Sequence, residues 1–158
     1  MRNKTLEKEI KKMNKEEVQK RVLRNGEPLS LELFTWDEST RTFASGEDDL
    51  VIDFADVDDC IFYVDNFCHI SAWRSHKIYA KNWCSIMVGE CCEVHTESYC
   101  ILYGQHGCLF RTGSFCTFNV IPDCRIKTSG KSVALVRNPF QIIQINDDKE
   151  VYISRTDY

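Results

Sequence analysis

The polar and apolar positions of this chain repeat every eight residues over its central part. In each of nine consecutive frames, an apolar residue stands two positions after the first residue, and a small or β-branched residue stands four positions after it. Side chains two positions apart share one side of a strand, so the pattern predicts one short strand per frame with these three side chains facing inward. The remaining residues of each frame would turn the chain. The frames begin at Cys60, Cys68, His76, Cys84, Cys92, Cys100, Cys108, Cys116 and Cys124.

The sequence also has a longer period of sixteen residues, which spans two of these frames. The residue just before alternate frames is aromatic, whereas the residue before the other frames is mostly small or polar. Two frames therefore make one coil, and each strand is expected to stack on the strand sixteen residues later, about 4.8 Å away. The sequence predicts an all-β solenoid, a two-sheet parallel β-helix or β-roll with 16 residues per coil. The aromatic corner contains Phe67, Trp83, Tyr99 and Phe115.

We predict that the repeat cysteines and the corner aromatics form the structural core. Cysteine behaves as a small buried hydrophobe, and stacked rings stabilise a corner through burial and offset contacts. A ligand platform made of the rings is the alternative. His76, between Cys60 and Cys92, raises the alternative of a metal site or a Cys–His dyad, but a parallel inward column offers poor tetrahedral geometry and no access for a substrate. We therefore predict no metal site, no cofactor and no catalytic residue.

The segment before the repeats predicts a helix and a cap. Residues 1–26 form a charged helical segment with a basic balance, and the helix is predicted over 4–24. Asn14, followed by Glu16 and Glu17, indicates a break and a new N-cap, and Asn25-Gly26 would end the helix. Residues 27–49 predict a capping hairpin whose first strand carries Leu29, Leu31 and Leu33.

The solenoid itself is predicted over residues 50–138. Its first strand is predicted over 51–54. After Gly130 the repeat loses its cysteine. Residues 139–158 predict a closing hairpin with strands over 141–145 and 150–154, which would seal the second end of the stack.

The composition of the 158 residues is that of one ordinary globular domain, with 43% hydrophobic and 28% charged residues. No apolar stretch approaches the roughly 18 residues of a membrane span, and the N-terminal residues are too polar for a signal peptide. Without a secretory signal, the nine cysteines are expected to be reduced thiols in a cytoplasm. No CxxC occurs, so zinc-ribbon and thioredoxin-type sites lack their motif.

A family resemblance rests on residues 108–119, whose sequence is CLFRTGSFCTFN. This run resembles the Cys-Thr-Phe octad-repeat proteins of phages and of gut and soil bacteria, and residues 25–29 and 53–54 are similar to the way in which those proteins begin. The resemblance covers residues 18–146, and the chain departs from the pattern between Phe67 and Tyr99. It implies the solenoid fold, a phage or mobile-element origin and the cytoplasm of a bacterial host cell. It supplies no catalytic residues.

The outward residues of the predicted strands define two faces. The odd face, on the odd-numbered frames, is aromatic at one end and basic at the other, and the even face is nearly uncharged with an apolar centre. Tyrosine, methionine and arginine on a flat surface are typical of protein interfaces. The candidate binding residues are Tyr63, Lys77, Tyr79, His95, Arg111, Arg125 and Lys127 on the odd face, and Met87, Ile101 and Tyr103 on the even face.

Charge is also graded along the chain. Residues 47–65 hold eight acidic residues and no Lys or Arg, whereas residues 109–137 hold five Lys or Arg and one Asp. A rigid body with an acidic end and a basic face suits electrostatically guided docking.

These features favour a non-enzymatic repeat scaffold over an enzyme. The sequence contains no phosphate-binding loop, nucleophile elbow or HExxH motif. We expect the protein to bind a bacterial protein or nucleoprotein through a solenoid face, and the resemblance suggests a phage or mobile-element inhibitor of a host defence system, of the anti-CRISPR type. One alternative is a self-assembling component of a phage particle or filament, associating through the even face or the solenoid ends. The other is direct binding of nucleic acid by the basic face and the helix. No membrane or small-molecule partner is expected.

Overall fold

The structure is a computed structural model that describes residues 12–121, 123–136, 144–145 and 151–155. It is almost entirely β, with a single short helix in the described part. The elements before the repeats are α1 (Lys15–Gln19), β1 (Val22–Arg24), β2 (Glu27–Pro28), a 3-10 turn (Leu31–Leu33), β3 (Thr35–Asp37) and β4 (Thr42–Ala44). The following strands are β5 (Leu50–Asp58), β6 (Ile61–Tyr63), β7 (His69–Arg74), β8 (Lys77–Tyr79), β9 (Ser85–Glu90), β10 (Glu93–His95), β11 (Ile101–Gly104), β12 (Leu109–Thr112), β13 (Thr117–Val120), β14 (Arg125–Thr128), β15 (Ser132–Val136), β16 (Gln144–Ile145) and β17 (Val151–Arg155).

From β4 onward, successive strands alternate between two sheets, which confirms the predicted solenoid. The described strands form a nine-stranded sheet in the order β17-β15-β13-β11-β9-β7-β5-β1-β2 and an eight-stranded sheet in the order β16-β14-β12-β10-β8-β6-β4-β3. The register within a sheet is sixteen residues, since Val94 pairs in parallel with Ile78 on one side and with Phe110 on the other. The even face lies on the nine-stranded sheet and the odd face on the eight-stranded sheet, with the buried core between them.

The coils at both ends of the stack are longer than sixteen residues. Phe43 on β4 pairs in parallel with Phe62, nineteen positions later, and Ile52 on β5 pairs with Ile70, eighteen positions later. At the other end Ile126 pairs with Ile145, again nineteen positions later. The first strand with a parallel partner is therefore β4 and not the segment 51–54, which the prediction placed first. The eight-residue pattern could not reveal these coils because their longer spacing breaks the period. On β5 the register shifts within the strand, between Phe54 and Asp58.

Within residues 12–24, the helix is much shorter than predicted. The N-cap at Asn14 is confirmed, because its Oδ1 accepts the Glu17 N–H at 2.9 Å while the Glu17 carboxylate accepts the Asn14 N–H at 3.0 Å. The helix ends at Gln19, however, and the following residues form β1, antiparallel to β5. Asn25-Gly26 is the turn of the β1–β2 hairpin rather than a helix end. The edge of β5 would be left without a hydrogen-bonding partner, and β1 pairs with this edge and buries Val22. The predicted helical residues 4–11 lie outside the described residues.

A capping hairpin is present within residues 27–49, but its first strand differs from the predicted one. Its first strand is β3, antiparallel to β4, and the segment Leu31–Leu33, predicted as part of that strand, is a 3-10 turn. This turn brings Phe34 into the core, where its ring stacks on Phe43 with centroids 5.4 Å apart. Two hairpins, one on each sheet, therefore close the N-terminal end of the stack.

The predicted C-terminal hairpin is wrong. Strand β16 pairs in parallel with β14 and strand β17 pairs in parallel with β15, so the two strands belong to different sheets. They form one more coil, and the solenoid extends to Arg155 rather than ending at residue 138. Two antiparallel strands would have covered the edge of a single sheet, whereas a further coil pairs the edges of both sheets.

Candidate binding faces

The inner column of repeat cysteines is buried, as predicted, and all eight are free thiols. Several thiols point at backbone carbonyls of the preceding coil. The Sγ–O distances are 3.2 Å from Cys100 to Lys81, 3.0 Å from Cys108 to Gly89 and 2.9 Å from Cys124 to Gln105. A thiol must keep its proton to donate, and burial raises the pKa of the Cys60 thiol. The column therefore supports the corners of the solenoid as a row of weak hydrogen-bond donors.

His76 takes the place of one cysteine and is itself buried. Its Nδ1 accepts the N–H of Cys60 at 3.1 Å, and its Nε2 donates to the carbonyl of Val57 at 2.6 Å. Burial lowers the pKa of His76. Because backbone groups occupy both ring nitrogens, neither is free to activate a neighbouring thiol or bind a metal ion. Within the described residues, no group of three or more His, Cys, Asp or Glu side chains is placed to hold a metal ion.

The structure aligns five of the seven candidate residues of the odd face in one column. They occupy equivalent positions on β6, β8, β10, β12 and β14. The ring centroids of Tyr63 and Tyr79 lie 4.8 Å apart with planes 8° from parallel, and those of Tyr79 and His95 also lie 4.8 Å apart. The remaining candidates, Lys77 and Arg125, stand in the neighbouring column. The five aligned residues are Tyr63, Tyr79, His95, Arg111 and Lys127.

Acidic groups do not neutralise the basic end of the odd face. The one acid among the outward residues of β6, β8, β10, β12 and β14 is Glu93, whose carboxylate contacts His95 Nε2 at 2.6 Å. The hydrogen bond from His95 lowers the pKa of Glu93, so this carboxylate is ionised at neutral pH and engaged by the ring. By contrast, Arg111, Arg125 and Lys127 form no ion pair with any residue that the structure describes. Three cations therefore lie at one end of the face without an ion pair to a described residue.

Two open grooves adjoin the odd face. A groove of about 740 Å³ runs beside the basic end, and a groove of about 540 Å³ lies beside the aromatic end. Hydroxyl groups and the cations line the first, and the capping hairpin and stacked tyrosines line the second. The first includes His95, Thr96, Arg111, Thr112, Lys127 and Thr128. The second includes Leu33, Phe34, Ala44, Tyr63, Tyr79 and Lys81.

The even face carries its three candidate residues on two neighbouring strands. Met87 on β9 is aligned with Tyr103 on β11, and Ile101 occupies the adjacent outward position of β11. Their exposed fractions are 56% for Met87, 46% for Ile101 and 37% for Tyr103. The even face therefore presents an apolar centre, as predicted from the pattern of outward residues.

The corner aromatics are stacked but do not belong to the core, which corrects the prediction. Centroid distances along the column are 6.4, 4.5 and 5.4 Å, with planes within 13° of parallel. All four residues have a positive φ between 57 and 62°, and between 45 and 57% of each residue is exposed. The left-handed backbone at the corner places the side chain outside the turn. The four residues are Phe67, Trp83, Tyr99 and Phe115.

A ladder of polar side chains lies beside these rings, and the sequence pattern did not predict it. The Asn66 side-chain oxygen accepts the N–H of Asn82 at 3.0 Å, and that of Asn82 accepts the N–H of Ser98 at 2.9 Å. Ser98 Oγ then accepts the N–H of Ser114 at 3.0 Å. The signal was the run of Asn and Ser one position before each aromatic residue, where short polar side chains can bond to a turn backbone.

Comparison of the chain with protein-family models, with curated proteins and with solved structures finds no match. Among the described residues, no helix is long and apolar enough to cross a membrane. The octad resemblance therefore remains a resemblance of sequence pattern, and function is inferred from the geometry of the two faces.

Proposed function

We propose that this protein is a non-enzymatic scaffold whose odd face binds an acidic surface of a bacterial protein or nucleoprotein. The observation that carries the proposal is a set of cations that form no ion pair with a described residue, beside a column of stacked rings. The cations are Arg111, Arg125 and Lys127.

The cations are arranged unfavourably for an isolated protein. Arg111 and Lys127 occupy directly opposite positions on neighbouring strands, where like charges destabilise a sheet. Two unit charges about 5 Å apart repel by about 0.8 kcal/mol even in water. The Glu93 carboxylate attracts Arg111 at longer range, but it contacts His95 and forms no ion pair with Arg111 or Lys127. An acidic partner surface would convert the repulsion into attraction.

The aromatic end of the odd face supports a protein partner. Tyr63 and Tyr79 stack on each other, so their side chains are already ordered before a partner arrives. Ordered aromatic rings lose little conformational entropy on binding, and tyrosine and arginine are enriched among the residues that dominate protein interfaces. The adjoining groove of about 540 Å³ offers room for a side chain of the partner beside Tyr63 and Phe34.

The charge gradient along the axis supports a defined orientation of binding. The acidic residues of 47–65 lie at the N-terminal end of the stack, far along the axis from Arg125 and Lys127. A partner approaching with an acidic patch is attracted to one end and repelled from the other. The octad resemblance favours a bacterial partner, and a host-defence complex inhibited by a phage or mobile-element protein is the instance that we propose to test first.

The test is capture of a partner from bacterial lysate by the native protein and by the double variant Arg111→Glu/Lys127→Glu. The matched control is Lys12→Glu/Lys20→Glu, which changes the net charge equally but lies in the N-terminal segment. We expect the native and control proteins to retain the same partner and the odd-face variant to lose it. The amount of partner that the native protein captures should also fall as the ionic strength rises.

Two results would contradict this assignment. Equal capture by the odd-face variant would show that the odd face is not the binding surface. Capture that disappears after nuclease treatment, with a steep log–log dependence on salt, would instead favour direct nucleic-acid binding.

A further inference from the structure

The even face and the aromatic corner together expose one large apolar surface. Each corner aromatic stands two positions before the first outward residue of an even-face strand, so the ring column borders that face along its length. We call this surface the apolar flank. It consists of Phe67, Trp83, Tyr99 and Phe115 at the corner and of Met87, Ile101, Tyr103 and Val133 on the even face.

The apolar flank is large for an uncovered surface. Its residues are between 37 and 57% exposed. A large side chain can bury 150–250 Å², and each residue of the flank exposes about half of its surface. Together these residues therefore expose roughly 700 Å². The largest apolar patch of a typical monomer is about 300–600 Å², and a standard interface uses about 800 Å² from each partner. The flank therefore matches the area that one side of a stable dimer requires.

The centre of the flank also lacks charge, although the exposed Lys131 follows Phe115 in the corner column. None of the outward residues of the even face from His69 to Asn119 is Lys, Arg, Asp or Glu, apart from Arg74 and Glu90 at the strand ends. Those two residues neutralise each other in an ion pair of 3.2 Å. A charged partner surface would gain no attraction here and would lose its hydration. A second copy of the same flank brings a surface whose centre is equally uncharged, so the two centres meet without repulsion although each chain carries a net charge of -4.

The described N-terminal elements leave the flank open. Helix α1 packs against β1, β3 and the 3-10 turn at the N-terminal end of the stack. Trp36 holds the start of this segment there, because its Nε1–H donates to the carbonyl of Met13 at 2.8 Å.

We propose that the apolar flank is a homodimer interface, in which the same surface of two chains meets across a two-fold axis. Such an isologous contact closes after two copies and does not grow into a filament. The odd face lies on the opposite side of the core, so both odd faces of the dimer point away from the contact. The dimer would present two binding faces at once, which raises avidity for a partner with repeated sites. This inference is independent of what the odd face binds.

The experiment measures the mass of the full chain by sedimentation over a wide concentration range. The test variant is Met87→Glu/Ile101→Glu, in which both altered residues are about half exposed, so that little core packing is lost. The matched control is Ile61→Glu, which changes the same residue type at the same octad position on the odd face. We expect a two-chain mass for the native and control proteins. Burial of unpaired carboxylates should weaken dimerisation of the test variant by about a hundredfold or more.

Several outcomes would overturn the proposal. The native chain could remain a monomer at every concentration, or its mass could rise without limit as the concentration increases. The dimer could also persist in Met87→Glu/Ile101→Glu or dissociate in Ile61→Glu. A chain that dimerises only after deletion of residues 1–11 would overturn it by showing that its own N-terminal segment occupies the flank.

A second readout uses only the native chain and therefore does not depend on folding of the variants. Hydrogen exchange is compared at a high and a low protein concentration. Slower exchange at high concentration in β9, β11 and β13, with no change in β8, β10 and β12, is the expected result. The reverse pattern, or no difference between the two concentrations in a dimer, would reject this interface.

Discussion

The residue that begins each frame is selected by the hydrogen bond that its side chain makes with the neighbouring coil. Cysteine at this position donates to a carbonyl of the preceding coil, as Cys100 does to Lys81. His76 at the same frame position also donates, to the Val57 carbonyl, and in addition accepts the Cys60 N–H, whereas Ser132 accepts the Cys116 N–H. Donors and acceptors can both serve here because each coil offers backbone carbonyls and N–H groups at its corners.

His76 should make the stability of the protein depend on pH. Burial lowers its pKa below the ordinary value of 6.5, although Asp58 and Asp59 nearby act in the opposite direction. The unfolded chain therefore binds a proton near pH 6.5 that the native protein does not yet accept. The stabilising contribution of neutral His76 is fully present above pH 6.5, and it is lost as pH falls toward the lower native pKa, by at most about 1.4 kcal/mol per pH unit.

Urea unfolding of the native protein and of His76→Cys at several pH values between 7.5 and 5 checks this prediction. Cysteine is the residue that the repeat uses elsewhere, and a buried thiol does not titrate in this range. We expect the unfolding free energy of the native protein to fall relative to that of the variant as the pH decreases. Two parallel curves would mean that His76 does not titrate differently in the folded and unfolded states.

At the scale of elements, the two corners of each coil are built in the same way but carry different side chains. Both corners turn through a residue with positive φ, for example Trp83 at 60° and Asp123 at 66°. Non-glycine residues rarely adopt this conformation, so the neighbouring coils must stabilise it. Along the aromatic corner, stacking of successive rings and the polar ladder through Asn82 supply that stabilisation.

The ring column should contribute stability in proportion to the number of stacked neighbours. Trp83 stacks on both Phe67 and Tyr99, whereas Phe115 stacks only on Tyr99 among the described residues. With about 0.5–1.5 kcal/mol per aromatic pair, we expect Trp83→Ala to reduce the unfolding free energy by about 1–3 kcal/mol and Phe115→Ala by about half as much.

Urea unfolding in the Met87→Glu/Ile101→Glu background measures these two changes without a contribution from dimerisation. Equal effects of the two substitutions, or a larger effect of Phe115→Ala, would show that stacking is not the source of the stability.

At the scale of the whole molecule, the ends of the stack determine whether the solenoid stays soluble. Each coil buries its inner face against its neighbours, so the terminal strands would be left with an unpaired edge. The β1–β2 hairpin covers β5 on one sheet, and β3 covers β4 on the other. The cap is part of the core as well, because Val18, Val22 and Leu29 are buried.

Removal of the first cap should therefore cause aggregation. Deletion of residues 1–28 removes α1, β1 and β2 and exposes the edge of β5, and we expect light scattering to increase on concentration. The control Arg24→Ala keeps the cap and removes only a partly exposed ion pair with Glu47, so it should cost about 1 kcal/mol or less and leave the protein soluble. A monodisperse truncated protein would show that another segment protects this edge.

Much of the fold could be read from local pattern. The positions of Phe62, Ile78 and Val94 indicated strands, and the sixteen-residue spacing indicated their partners, because a solenoid repeats the same local environment in every coil. The composition of both faces followed from the same alternation. The pattern did not reveal β1, and it predicted a strand at β17 with the wrong partner, because both strands lie outside the repeat and are defined by the edges that they pair with.

The sequence by itself therefore determined the solenoid, its coil length and the side chains on each face, since these depend on interactions that recur every sixteen residues. Only the tertiary structure decided how the two ends are closed, that the corner rings are half exposed, and that Arg111 and Lys127 lack ion-pair partners in the described part of the chain. The physical reason is that edge pairing, exposure and charge pairing depend on which segments meet in space. Neighbours distant in sequence, such as Val22 beside Ile52, leave no periodic signal in the chain.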